Sequence, residues 1–183
     1  MSYHDTLAKL TDRTSAQVLA TFAGWQEGKF TDDQFVQLVS AFIASSNGRA
    51  VALADLSLAA EISVQLRALE PALGVVSAAD DQSRLAKGAA TLAAESKAGF
   101  DIADRLARFA HAEASAAAAN AYADGIARSE KVTGWVRKLD GDPCQLCTWW
   151  WREGQVWPKD HKMPHHKGCQ CTPTPVTHER TAR

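Results

Sequence analysis

The stretch Cys144-Gln145-Leu146-Cys147, with its counterpart His165-His166-Lys167-Gly168-Cys169-Gln170-Cys171, contains every cysteine of the chain. Two cysteines separated by two residues fit one tetrahedral metal ion, and a second cluster of the form H-x-x-C-x-C can close the site from the other side. Structural zinc sites are four-coordinate and use thiolate and imidazole ligands. The spacing therefore predicts a structural Zn²⁺ site in this part of the chain.

More side chains are available than one tetrahedral ion needs. The candidate ligands are Cys144, Cys147, His166, Cys169 and Cys171. His165 is a spare. Ligation by four thiolates and ligation by three thiolates with one imidazole are both compatible with the spacing.

Disulfides and a catalytic cysteine are the two other interpretations of these residues. No apolar signal segment is expected, because residues 1–5 lead directly into a polar, helix-like stretch. Without export, disulfides are disfavoured. A thiolate beside an imidazole is a hydrolase signature, but four cysteines at ligand spacing favour a metal site over a nucleophile.

The composition indicates an ordinary globular protein. Hydrophobic residues make up 46% of the 183 residues and charged residues 22%. No apolar run is long enough to span a bilayer, so no membrane partner is expected. The formal net charge of -1 does not make the whole chain an electrostatic match for nucleic acid.

The charge and the composition change near residue 131. Residues 1–131 have a formal charge of -4, whereas residues 132–183 have +3 and contain five of the six tryptophans and five of the six prolines. A module of that size cannot build a large core and usually needs a metal or a disulfide. We therefore predict a helical domain over 1–131, a Cys/His zinc-binding module over 132–176 and a flexible tail over 177–183.

The N-terminal part predicts a bundle or a body of long helices. Apolar residues recur at three- and four-residue steps, and Thr31 with Gln34 forms a capping box. The predicted helices cover 2–26, 31–66, 79–96 and 100–131, and the second of them has an end or a kink at 45–48. The helical signal ends at Thr133-Gly134. The fold class is mainly α, with a small C-terminal α+β module of short strands.

The C-terminal part predicts short extended segments around the cysteines. Residues 135–139 have the alternation of a strand, with Trp135, Arg137 and Leu139 on one face. Residues 140–143 form a turn, 153–157 a returning strand, and 169–173 an extended segment in which Cys169 and Cys171 share a face.

The triple tryptophan at 149–151 and the basic residues of the module each allow two interpretations. Tryptophans that fill the core are favoured over a protein-binding surface or a nucleic-acid stacking platform. The cations offset the negative charge of a zinc–thiolate centre, or else they contact DNA phosphates. The cations in question are Arg137, Lys138, Lys162 and Lys167.

The Cys/His module resembles the C-terminal module of the phage Mu F-like minor head proteins, the phage head morphogenesis family. The resemblance covers about residues 132–176 and rests on W-V-R-x-L-D-x-D-x-C-x-x-C from Trp135 to Cys147, followed by H-x-x-C-x-C from His166 to Cys171. Lys167 stands where that family has proline after the histidine. Residues 1–131 match the family only in being helical.

The resemblance implies a structural virion protein that is made in the host cytoplasm. It would dock near the portal or the inner capsid in multiple copies, with portal and major capsid proteins as partners and possible contact with packaged DNA. The alternatives are a capsid maturation protease with a cysteine nucleophile, or a zinc-containing nucleic-acid-binding module. An enzyme is disfavoured, since no acid that would orient a histidine base and no Gly-rich oxyanion loop are evident.

Overall fold

The computed structural model describes residues 2–77, 81–166, 169 and 171–178, and within them the chain is mainly helical, as predicted. The helices are α1 (Tyr3–Gln26), α2 (Asp32–Leu66), α3 (Asp81–Lys97), α4 (Ala103–Arg128) and the short α5 (Gln145–Trp151), which a 3-10 turn (Arg152–Gly154) follows. The strands are β1 (Val132–Lys138), β2 (Val156–Pro158) and β3 (Thr172–Thr177). None of the helices described combines the length and the apolarity needed to cross a bilayer.

Side-chain caps define where the first two helices begin. Ser2 accepts a hydrogen bond from the backbone N–H of Asp5, and the Asp5 carboxylate accepts one from the N–H of Ser2. Thr31 and Gln34 form the same reciprocal arrangement at the start of α2. The capping box predicted for Thr31 and Gln34 is therefore confirmed. Each of the two pairs satisfies two N–H groups that have no partner inside the helix.

Helix α2 runs without a break through residues 45–48, so the predicted end or kink there is wrong. Ser46 shares a 2.7 Å hydrogen bond with Thr14 of α1, and Asn47 donates to the Asp81 carboxylate at 2.6 Å. These polar side chains form bonds with neighbouring elements instead of competing for the backbone of α2, which is how such residues usually end helices.

Two other boundaries differ from the sequence prediction. Helix α4 covers Ala103–Arg128, shorter at both ends than the predicted 100–131, and β1 already begins at Val132. Gly134 is therefore inside a strand and does not mark a break. A Cβ atom at this position would lie 2.3 Å from the backbone oxygen of Trp157, so the close approach of β2 requires glycine there. The predicted helix start at Ala79 lies outside the described residues.

The three strands form an antiparallel sheet in the order β2-β1-β3. Trp135 and Arg137 are both buried on one face of β1, as the alternation predicted. Thr177 is the buried last residue of β3, so the predicted tail begins too early at 177. Residues 179–183 lie outside the part of the chain that the structure describes.

One hydrophobic core joins the sheet to the helices. Leu7 of α1 and buried side chains from the C-terminal parts of α2 and α4 pack in one cluster with Val132 and Trp135 of β1 and with Met163 from the loop after β2. A second cluster lies at the other end of the bundle, where α3 packs against α2 and α4. The segments that carry the cysteines are therefore supported on the end of the bundle that contains the first cluster.

Candidate metal centre

Three separate segments bring the predicted ligands together. The N-cap and the first turn of α5 supply Cys144 and Cys147, the loop after β2 supplies His166, and the residues just before β3 supply Cys169 and Cys171. The three cysteines Cys147, Cys169 and Cys171 are buried in a cluster of their own, against which Leu139 packs. Residues that directly precede or follow β1, α5 and β3 in the chain thus lie together at one end of the sheet.

The C-x-x-C segment is the start of a helix, which the sequence interpretation had not included. Cys144 is the N-cap of α5, and its sulfur accepts a hydrogen bond from the backbone N–H of Cys147 at 3.5 Å. This first helical turn orients both sulfur atoms toward the imidazole of His166. It also places the three tryptophans on different sides of α5, because successive helical residues point in different directions.

The donor atoms form two overlapping groups. The Nε2 atom of His166 lies 3.1 Å from the Cys144 sulfur and 3.3 Å from the Cys147 sulfur, and the Cys147 and Cys169 sulfurs are 3.4 Å apart. Cys144, Cys147 and His166 form one group whose donor atoms all lie within 4.8 Å of one another. Cys147, Cys169 and Cys171 form the other, so Cys147 belongs to both.

The donor set fits a small thiophilic ion. With bonds of about 2.3 Å to sulfur and about 2.0 Å to nitrogen, the edges of a tetrahedral zinc site are about 3.5 to 3.8 Å long. The three close contacts, at 3.1 to 3.4 Å, are slightly shorter than these edges. Each of the two groups of Cys and His side chains could therefore hold a metal ion.

Of the two neighbouring histidines, only His166 is brought to the cysteines. The Nδ1 atom of His165 instead lies 3.3 Å from the backbone oxygen of Met163, and the side chain is exposed. All five side chains that the sequence named as ligands are in the cluster, and the spare histidine is not.

Cys171 differs from the other thiols in having a carboxylate beside it. Its sulfur donates to Oδ2 of Asp140 at 3.5 Å. A thiol that donates to a carboxylate keeps its proton, whereas a metal ligand must lose it. The sequence had placed Asp140 only in a turn, and the spacing of the motif contained no signal for its contact with Cys171.

The crowded thiols have different proton affinities. The N–H of Cys147 lowers the pKa of the Cys144 thiol, and a hydrogen bond from Cys171 lowers the pKa of Cys169. Burial raises the pKa of Cys147 to about 12, and the hydrogen bond to Cys169 together with burial raises the pKa of Cys171 above that of an ordinary thiol. In the metal-free protein at neutral pH, Cys147 and Cys171 are therefore thiols rather than thiolates.

One of the four predicted cations is buried beside the cluster. The Arg137 side chain is 1% exposed, and its Nη1 atom lies 3.9 Å from the Cys147 sulfur. Lys138 and Lys162 are exposed, and Lys167 lies outside the described residues. Among the three of these cations that the structure describes, Arg137 is therefore the buried one that contacts a cysteine.

The tryptophans of α5 divide between the centre and the surface. The Trp150 ring lies 6.4 Å from the His166 ring and 5.3 Å from the Arg137 guanidinium carbon. Trp149 and Trp151 are 64% and 36% exposed. None of the three is fully buried, and the half-buried Trp150 is the one that packs beside His166 and Arg137. The sequence did not distinguish it from its neighbours.

Comparisons of the chain with protein-family models, with curated proteins and with solved structures find no match. The geometry of the cluster and the motif that encodes it are therefore the grounds on which a function is proposed.

Proposed function

We propose that the protein is a structural component of a phage head, a minor capsid or head morphogenesis protein, whose C-terminal module is held together by Zn²⁺. The observation that carries the metal part is the meeting of sulfur and imidazole donors from three segments of the chain. The phage part is supported by the resemblance of the segment from Trp135 to Cys171 to the Mu F-like module. In this role the helices provide docking surface for portal or capsid protein.

The ligands in this proposal are Cys144, Cys147, His166 and Cys169. Three short contacts join their donor atoms in the order Cys144, His166, Cys147 and Cys169. The Cys171 thiol instead donates a hydrogen bond to Asp140. Three thiolates and Zn²⁺ have a net charge of about -1 when the charge of the ion is counted. Zinc is favoured over harder divalent ions because thiolate and imidazole are the ligands that it prefers.

Elemental analysis of single-residue variants tests this ligand set. We expect about one zinc ion per purified wild-type chain, and we expect Cys144→Ser to lose it, because a structural site with three ligands binds zinc much more weakly. Gln145→Ser is the matched control, since Gln145 is the exposed neighbour of Cys144 on the same helix. Cys171→Ser should retain the ion. A wild-type protein without bound metal would refute the metal part of the proposal.

Assembly experiments test the phage part independently. We expect the wild-type protein to enter heads when it is produced together with portal and major capsid proteins, and Cys144→Ser to be excluded from them, because the module loses its fixed shape. Normal incorporation of a variant that binds no metal would show that head assembly does not require zinc. A wild-type protein that loads zinc but never enters heads would refute the phage role alone.

The Cys144–His166 contact also favours a cysteine nucleophile as the second candidate. Cys144 is exposed and its pKa is lowered, as a nucleophile requires. However, the same imidazole nitrogen also lies 3.3 Å from Cys147, an arrangement that suits a shared metal ion better than a base serving one thiol. Alkylation distinguishes the two: a single hyper-reactive thiol in metal-loaded protein would favour the nucleophile, and protected thiols the metal site.

A further inference from the structure

Arg137 has an environment that is unusual for a cation. Its side chain is buried on β1, yet within the described residues it makes no ion pair with a carboxylate. Its Nε atom is buried without a hydrogen-bond partner there. Buried charges are normally paired, because removing a cation from water without an anion is costly. Among the residues that the structure describes, Arg137 therefore has no carboxylate partner.

The contacts of Arg137 reach two of the segments that carry the proposed ligands. One guanidinium nitrogen donates to the backbone oxygen of Pro164, two residues before His166. The other lies 3.9 Å from the Cys147 sulfur, and the guanidinium lies over the ring of Trp150 on the same helix. One side chain thus connects β1 both to α5 and to the loop that supplies the imidazole.

A zinc–thiolate centre would provide the missing anion. With three thiolates the centre has a net charge of about -1, which a single guanidinium offsets. Arginine suits this position because its planar group can donate in several directions at once and stack on an aromatic ring. Hydrogen bonds from such neighbouring groups orient metal ligands and tune their affinity.

We propose that Arg137 is a positioning residue of the metal centre: it neutralises the thiolates and holds Cys147 and the His166 loop in binding geometry. This inference rests on the metal site proposed above. It assigns the role of counter-charge to one buried arginine rather than to the exposed lysines of the module. It also accounts for a buried cation that has no carboxylate partner among the described residues.

Zinc affinities of three variants test the proposal, measured by competition with a chromophoric chelator. Arg137→Met keeps much of the side-chain volume but removes the charge and the donors, and we expect its affinity to fall about 10- to 100-fold. Arg137→Lys keeps the charge but not the planar fork, so its affinity should lie between those of Arg137→Met and the wild type. Lys138→Met removes a cation from the adjacent, exposed position and should bind zinc like the wild type.

A purely structural role makes different predictions. If Arg137 only filled space, Arg137→Lys would bind no better than Arg137→Met, and both would destabilise the metal-free and the zinc-loaded protein equally in urea. Either result would overturn the proposal, as would wild-type affinity in Arg137→Met. These results leave the metal site itself intact, whereas a wild-type protein that binds no zinc would refute the site and the role of Arg137 together.

Discussion

At the residue scale, the same four thiols differ because their surroundings differ. Cys144 is exposed and accepts a backbone N–H, whereas Cys147 is buried and Cys171 donates to Asp140. Burial disfavours a thiolate and a donated N–H favours it. The spacing of the cysteines indicated that they meet, but the order in which they lose protons depends on burial and on hydrogen bonds that the spacing does not specify.

Binding of zinc should release protons at neutral pH. Because burial raises the pKa of Cys147 to about 12, this thiol is protonated in the metal-free chain and must lose its proton to become a ligand. Affinity should therefore rise as the pH rises and fall as the pH falls. Calorimetry at pH 7 in buffers of different ionisation enthalpy measures the number of protons released, and a value of zero would contradict the prediction.

Cys171→Ser provides the control for that measurement. The hydrogen bond to Cys169 and burial raise the pKa of Cys171, and its sulfur also lies 3.5 Å from Oδ2 of Asp140. If Cys171 is not a ligand, the variant should release about as many protons as the wild type. A loss of one released proton together with a large loss of affinity would place Cys171 among the ligands.

At the scale of elements, the space available for a side chain differs between a glycine of α4 and a glycine of α2. A Cβ atom at Gly125 of α4 would lie 2.4 Å from Cδ2 of Leu58 on α2, whereas one at Gly48 of α2 would meet nothing closer than 3.9 Å. Leu58 is buried in the core that joins the two helices. Gly125 is therefore part of a helix crossing, although its sequence context with Asp124 resembles a helix end.

We expect Gly125→Ala to destabilise the protein and Gly48→Ala to stabilise it. Overpacking against Leu58 should cost about 1–3 kcal/mol, which exceeds the gain in helix propensity. At Gly48 the gain of about 0.5–1 kcal/mol remains, since the added methyl group has space. Urea unfolding of both variants measures the difference, and an increase in stability for Gly125→Ala would show that α2 and α4 do not approach as closely as described.

At the scale of the whole molecule, the sheet joins the candidate metal centre to the bundle. Trp135 of β1 is buried with the helices, and two positions along the same strand Arg137 contacts Cys147. Loss of the metal should therefore alter the end of the sheet that contains the cysteines before it alters the helices, because the helices have a separate core of their own.

Chelation should change the aromatic environment more than the helix content. Trp150 packs beside His166 and Arg137, so removal of the ion should change the near-UV circular dichroism while the far-UV helical signal is largely retained. The midpoint of thermal unfolding should also fall, and readdition of zinc should restore it in proportion to the logarithm of the free ion concentration. A midpoint insensitive to both treatments would contradict a stabilising role. Trp150→Leu should reduce the near-UV change that chelation causes. Trp149→Leu, at an exposed position, should leave that change as large as in the wild type.

The sequence by itself determined the mainly α class, the capped start of α2, the strand that carries Trp135 and Arg137, and the five side chains that form the two overlapping donor groups. These features depend on local periodicity, on capping chemistry and on ligand spacing, all of which act over a few residues. Only the tertiary structure decided that α2 continues through residues 45–48, that Gly134 and Gly125 are sites of close approach, and that Arg137 and Asp140 face the cysteines. Each of these depends on an atom from a distant segment, such as Thr14, Trp157 or Leu58, and a pattern of neighbouring residues contains no record of such atoms.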